Sequence, residues 1–223
     1  MASLWPIQYP ERLQLYTLDT PNGQKVSVAL EELGIPYEVH CVSFRDGQQH
    51  SPEFLAINPN NKIPAIVDPN GPQGELKLFE SGAILWYLAE KTGQLLPADP
   101  ARRIECIQWL FFQMANVGPM FGQFGHFHRY AADQCLDPYP KERYRKEVRR
   151  LLAVLEQRLE GSLYLMGDDY SIADIATFPW IDCLGWHYDG YQVVALDDFP
   201  AVMAWFERCM ARPASQRGMK VGA

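Results

Sequence analysis

Residues 13–44 read LQLYTLDTPNGQKVSVALEELGIPYEVHCVSF, and the change of period inside them decides the fold. LQLYTL (13–18) is short and β-rich, which predicts a strand. From residue 21 to 33 the apolar side chains Val26, Leu30 and Leu33 recur at helical spacing, with Ala29 beside them. Thr20 can cap that helix, Pro21 suits its first position, and Gly34 stops it. YEVHCVSF (37–44) then reads as a second strand. A helix between two consecutive strands calls for a parallel pair joined by a right-handed crossover.

Outward from this unit, a polar loop leads to a short helix in SPEFLAI. IPAIVD (63–68) and ELKLFE (75–80) read as strands, joined by a tight turn through Asn70, Gly71 and Gly74 that calls for an antiparallel pair. SGAILWYLAEKTG (81–93) is a helix with Ser81 as its expected N-cap and Gly93 after its end. The expectation is a four-stranded mixed sheet with helices on both faces. QLLPADPARR (94–103) carries two prolines and reads as a linker. Beyond it strand signals vanish. Helical stretches are expected at about 101–128, 139–160, 171–187 and 199–212, the third opened by Ser171 and Asp174 at capping-box spacing. The organisation is therefore an N-terminal extension (1–12), an α/β domain (13–94), a linker (95–100) and an all-α domain (101–223).

The chain has 223 residues, 48% of them hydrophobic and 21% charged, and a formal charge of -7 with scattered basic residues. Scattered bases in an acidic chain exclude a phosphate-backbone partner, which wants a basic stripe. No apolar run approaches the roughly 20 residues of a membrane helix, and MASLWPIQYPERLQ lacks the order of a signal peptide. The five cysteines (41, 106, 135, 183 and 209) form no CxxC pair and no metal spacing. That pattern suits reduced thiols in a cytoplasm. His126 and His128 form an HxH pair without further ligands, so no metal is expected.

Three stretches can carry chemistry. Thr20-Pro21-Asn22-Gly23 is explained by helix capping alone. The same helix start also offers free N–H groups and a positive dipole end to an anion. A thiolate would suit it, but no cysteine of the chain is expected nearby, so such a thiolate would arrive with a ligand. In NNKIPAIVD (60–68), Pro64 opens a strand. A cis Ile63–Pro64 bond would leave the Ile63 backbone open to an extended, peptide-like ligand. In FESGAI (79–84), Glu80 and Ser81 either form a plain cap or grip an amino acid by its ammonium and its carboxylate.

These motifs, with the Pro-containing linker and YSIADI in the helical half, resemble a cytoplasmic glutathione transferase over roughly residues 13–215. TPNG, PEFLAINPNNKIPAIVD and QWLFFQMANVGPMFGQ are similar to the bacterial nu class, which is related to the yeast nitrogen-regulation protein of the same fold and includes disulfide-bond reductases. The resemblance implies a thioredoxin-like first domain with Pro64 as the cis-proline. It implies glutathione as cofactor, one oxidised or two reduced molecules per site, and no metal. Thr20 and Asn22 would flank the sulfur. Ile63 would pair with the cysteinyl unit, Glu80 and Ser81 would hold the γ-glutamyl end, and Gln49 and Lys62 would lie near the glycyl end. Arg143 in KERYRKE matches an arginine that reaches the site from the helical domain, against the plainer reading of a solvated charge. Tyr16 falls near the thiol-activating tyrosine of several eukaryotic classes, but strand alternation makes it a packed residue. Trp109, Leu110 and Phe112 read as core, and Gln123, Phe124 and Phe127, after the Gly118-Pro119 break, as substrate-lining. The implied function is glutathione-dependent reduction of small disulfides, with peroxidase and weak conjugating activity, in a homodimer. A conjugating transferase and a non-enzymatic regulator are the alternatives.

Overall fold

The computed structural model describes residues 3–222; residues 1, 2 and 223 lie outside them. Its contacts divide the chain into two compact units. One runs from the N-terminal residues through Gln94 and takes in Pro213 onward; the other is Leu95–Arg212. The expected helical domain of 101–223 is thereby corrected at its far end.

In the first unit β1 (Leu13–Thr17), β2 (Tyr37–Cys41), β3 (Ala65–Gly71) and β4 (Gly74–Phe79) form one sheet in the order β2-β1-β3-β4. β1 pairs parallel with β2 and antiparallel with β3, and β3 pairs antiparallel with β4. The mixed sheet predicted from the crossover and the tight turn is the one observed. α1 (Pro21–Leu33) makes the crossover; Thr20 caps it, and Gly34 ends it in the left-handed conformation at φ 63°. α2 (Pro52–Leu55) and α3 (Ser81–Thr92) complete the N-terminal elements.

The residue period of two sorts the side chains between faces. Tyr16, Ala65 and Val67 share one face with Trp5, Val42, Phe54, Ile57 and Ile63 in a single apolar cluster. Leu15 and Ile66 lie opposite each other on the other face, fully buried. There α1 packs on α3, and Tyr87 and Lys91 of α3 donate to Asp68, two residues beyond Ile66.

Residues expected as an extension belong to this unit's core. Trp5 is 6% exposed and donates its indole N–H to the Cys41 carbonyl. Backbone N–H groups of Gln8 and Tyr9 donate to Glu38. At the other end of the chain α9 (Pro213–Gly218) packs on α1. Ser27 donates to the Gly218 carbonyl at 2.7 Å, and a Cβ at Gly218 would fall 2.5 Å from the Val28 Cα, an approach only glycine allows.

The second unit is helical. α4 (Pro100–Phe112) and α5 (Gly118–Gly125) are joined by a π-helical turn at Gln113–Val117, and a second π turn at His126–Tyr130 carries the expected 101–128 stretch to residue 130. α6 (Pro138–Leu159), α7 (Ile172–Asp182) and α8 (Pro200–Met210) follow. Ser171 and Asp174 form the predicted capping box. The fully buried Asp174 also accepts from the Leu165 N–H and the Trp205 indole, at 2.8 and 2.9 Å. Burial pushes its carboxyl above the ordinary range, against these bonds. Among the described residues no helix is long and apolar enough to cross a membrane.

Because Trp5 fills the space between Tyr16 and Phe54, Trp5→Ala is expected to cost about 3–5 kcal/mol by the measure of other buried aromatic truncations. Leu4→Ala, at a half-exposed neighbour, is expected to stay within about 0.5 kcal/mol. Urea unfolding of the two variants measures both.

Candidate active site

The strand register sets the candidate groups side by side. Tyr16 pairs with Ala65, and Ala65 with Phe79, so the end of β1, the start of β3 and the end of β4 share one edge of the sheet. The segments that leave this edge are Leu18–Thr20, Ile63–Pro64 and Glu80–Ser81. The Ile63–Pro64 peptide bond is cis.

At the first segment the Thr20 hydroxyl accepts from the Gly23 N–H at 3.3 Å, which leaves its own proton to donate elsewhere. A Cβ on Gly23 would lie 2.3 Å from the Leu18 carbonyl oxygen. The polar Thr-Pro-Asn-Gly entry is therefore also a packing requirement, since α1 begins hard against the end of β1. The loop before Pro64 is held from inside. Buried Asn58 donates to the Lys62 carbonyl at 2.5 Å and accepts from the Asn60 N–H. His50 Nδ1 and Asn61 Nδ2 lie 3.0 Å apart, which ties the 3-10 turn Gln48–His50, and with it Gln49, to the same loop. Among the described residues Gln49 Oε1 is a buried acceptor with no hydrogen-bond partner.

At the third segment the structure corrects the expected cap. Glu80, not Ser81, is the N-cap of α3, with φ 70° and ψ 111°, and Ser81 is the first helical residue. A glutamate held at positive φ is a strained conformation of the sort that collects at ligand sites. Ser81 is buried, and Glu80 is exposed at the surface.

Sequence reasoning missed Lys25. On α1 it reads as one more polar residue, yet it is 1% exposed. Its amine donates to Asn22 Oδ1 at 2.8 Å and to Ser81 Oγ at 3.3 Å, so it links the starts of α1 and α3. Burial lowers it to about 7, with the nearby Glu80 charge acting in the opposite direction. Its signal in the sequence was its place four residues before Ala29, on the helix's inward stripe.

Tyr16 is a packed residue, as the alternation predicted. It is 5% exposed, stacked on His40 and edge-on to Trp5. Burial foremost, then the charges of Glu53, Glu38 and Glu75, raise its hydroxyl to about 12, which keeps it protonated. The register also brings Cys41 of β2 to this edge, opposite Thr17 of β1, so a cysteine reaches this edge against the expectation that none is nearby. The helix start itself carries Thr20 and Asn22 and no cysteine.

The remaining candidates lie in the second unit. Arg143 is exposed and lines a cavity of about 790 Å³ with Met120, Tyr139, Glu142, Tyr144 and Glu147. Phe127 stacks on Tyr144 at 5.6 Å, and Gln123 is exposed. Phe124, expected to line the substrate side, is fully buried, stacked on His128 and in reach of Gly190, so it packs as core. Among the described residues no group of three or more His, Cys, Asp or Glu side chains is placed to hold a metal ion.

The glutathione S-transferase N-terminal domain matches residues 20–91 and the C-terminal domain residues 114–213. The chain belongs to the glutathione S-transferase family. The disulfide-bond oxidoreductase YfcG of Escherichia coli is 48% identical over 209 residues, 93% of this chain and 94% of its own length. A glutathione transferase from Burkholderia graminis, solved with two glutathione molecules per subunit, superposes with a TM-score of 0.96 at 58% identity, covering 97% of this chain and 91% of that one. Another from Pseudomonas putida, with one glutathione disulfide per subunit, gives a TM-score of 0.96 at 53% identity, with coverage of 98% and 95%.

With Lys25 at about 7 in the fold against 10.5 ordinarily, the unfolded chain holds more protons between those limits. Stability from this group therefore rises as pH climbs from about 7 toward 10. Wild type is expected to gain stability over that window relative to Lys25→Met, read from paired urea titrations across pH.

Proposed function

We propose that this glutathione S-transferase family member is a glutathione-dependent disulfide-bond reductase. The observation that carries the reading is the convergence of two helix starts and the cis Ile63–Pro64 segment on one sheet edge, with Thr20 and Asn22 at the place for a thiol. Two relatives from Escherichia coli are named disulfide-bond oxidoreductases, and two similar structures were solved with two glutathiones or one glutathione disulfide per subunit.

The residues present fit that ligand. The N–H groups at the start of α1 and the Asn22 amide favour an anionic sulfur by hydrogen bonding and by the helix dipole. The Ile63 backbone, freed from the ladder beside Pro64, offers a donor and an acceptor to a peptide unit. Glu80 and the first N–H groups of α3 suit an ammonium and a carboxylate, the two ends of a γ-glutamyl group. Gln49 Oε1 awaits a donor, and Lys62 brings a cation to the glycyl carboxylate. By the family resemblance Arg143 is the candidate second cation for the ligand, and Gln123 and Phe127 are the candidates for its second-substrate side. Glutathione, when bound, supplies the nucleophilic thiol that this helix start lacks. Thiol–disulfide exchange needs a thiolate whose pKa is near ambient pH and a stabilised leaving thiol; donors at the head of α1 serve both. A homodimer in a cytoplasm completes this reading, and light scattering on the purified protein tests the dimer.

The test is reduction of a small organic disulfide by glutathione, with a recycling reductase to report turnover. Turnover is expected, and its absence sinks the reading. Asn22→Ala is expected to lower turnover about 10²-fold, the scale of losing one donor to a developing anion. Tyr16→Phe and Cys41→Ser are expected to stay near wild type. A large loss in Cys41→Ser would move the sulfur chemistry onto the protein. Strong conjugation of an aromatic halide with negligible disulfide reduction would favour the conjugating transferase.

A further inference from the structure

Lys25 is a buried side chain that touches both helix starts. Its amine sits 2.8 Å from Asn22 Oδ1 and 3.3 Å from Ser81 Oγ, beneath the surface of a helix whose neighbours in the fold are α3 and α9. An amine that is an ammonium is a donor only, so Asn22 must meet it with the carbonyl oxygen. The amide nitrogen of Asn22 then points the other way, and Asn22 is only half-buried. This explains why asparagine stands there: an aspartate would bond Lys25 equally well but would add a negative charge beside an anionic sulfur.

We propose that Lys25 is a positioning residue for the reaction proposed above: it turns the Asn22 amide N–H toward the glutathione sulfur, and its buried charge holds that sulfur as thiolate. The inference rests on that functional reading. The proton balance is simple. The thiol's proton passes to the amine where Lys25 is neutral, and leaves to solvent where Lys25 is already charged.

The charged surroundings support a group whose charge follows the ligand. Glu80, at the head of α3, acts on the amine and favours its charged form. Before α1, Asp19 is bonded by Gln24. On α9, Arg217 is engaged by Glu31 further along α1. With burial lowering the amine to about 7, an arriving anion draws a proton onto it, because an opposite charge nearby favours the charged form.

Lys25→Met keeps the volume and removes the charge. Bound glutathione is titrated by its ultraviolet thiolate absorbance, with S-methylglutathione as the ligand that has no thiolate. The thiolate midpoint is expected to rise by about one pH unit in the variant, the lower end of the effect of a neighbouring charge. Disulfide reduction is expected to fall about tenfold below that midpoint and to converge on wild type above it. Affinity for S-methylglutathione is expected to stay within about twofold, well inside 1 kcal/mol. An unmoved midpoint, or an equal loss of affinity for both ligands, overturns the proposal. If the variant does not fold, wild type decides. In protein carrying isotope-labelled lysine, the Lys25 titration is expected to move up with glutathione and not with S-methylglutathione; no difference overturns the proposal. Wild type that binds no glutathione at all would instead remove the functional reading, and this inference with it.

Discussion

The parallel pairing of β1 with β2 constrains the first unit more than any other single interaction. Parallel neighbours cannot be joined by a hairpin, so the chain must cross over the sheet, and α1 is that crossing. A helix that follows a strand in this way starts at the strand's carboxyl end. The N–H groups at the start of α1 are thereby delivered to the sheet edge from which Ile63–Pro64 and Glu80 also depart. The site's geometry is a consequence of connectivity; side chains refine it.

The helical unit has a different organising contact. Asp174 is a carboxylate in a dry interior, and four donor contacts from Ser171, Leu165 and Trp205 surround it. Burying a charge is tolerable only when its lone pairs are engaged. Asp174 thus specifies how α7, α8 and the segment before α7 meet, and it does so from a position visible in the sequence as half of a capping box.

What the sequence made legible was whatever has a local cause. The crossover, the tight turn, and the starts of α1 and α7 at Thr20 and Ser171 each follow from period and capping chemistry within a few residues. Strand alternation marks Tyr16 as a packed residue, and it is 5% exposed. What stayed hidden depends on distant partners. Lys25 reads as a solvated helix residue until α3 closes over it. Phe124 reads as a wall residue after a Gly-Pro break. It is core because Gly125 and Gly190 let Tyr188 and Leu184 come close. The anchoring of Trp5 has no period at all, only a carbonyl 36 positions later to receive its indole. Glu80 was expected beside the cap and is the cap, because its backbone turns to positive φ, which no residue type announces.

The return of α9 to α1 has a consequence for how the protein is made. The first unit is not one continuous stretch of chain: its sheet and site are encoded before residue 95, but the surface that receives Val28 and Ser27 is encoded after residue 212. During synthesis from the N-terminus, the segment bearing Thr20, Asn22 and Lys25 leaves the ribosome with one side of α1 uncovered. It waits through translation of the whole helical unit before its own last piece emerges. The helical unit, contiguous from Leu95 to Arg212, needs no such wait. The order of completion is thus the reverse of the order of synthesis, and the unit that carries the candidate site is the last to close.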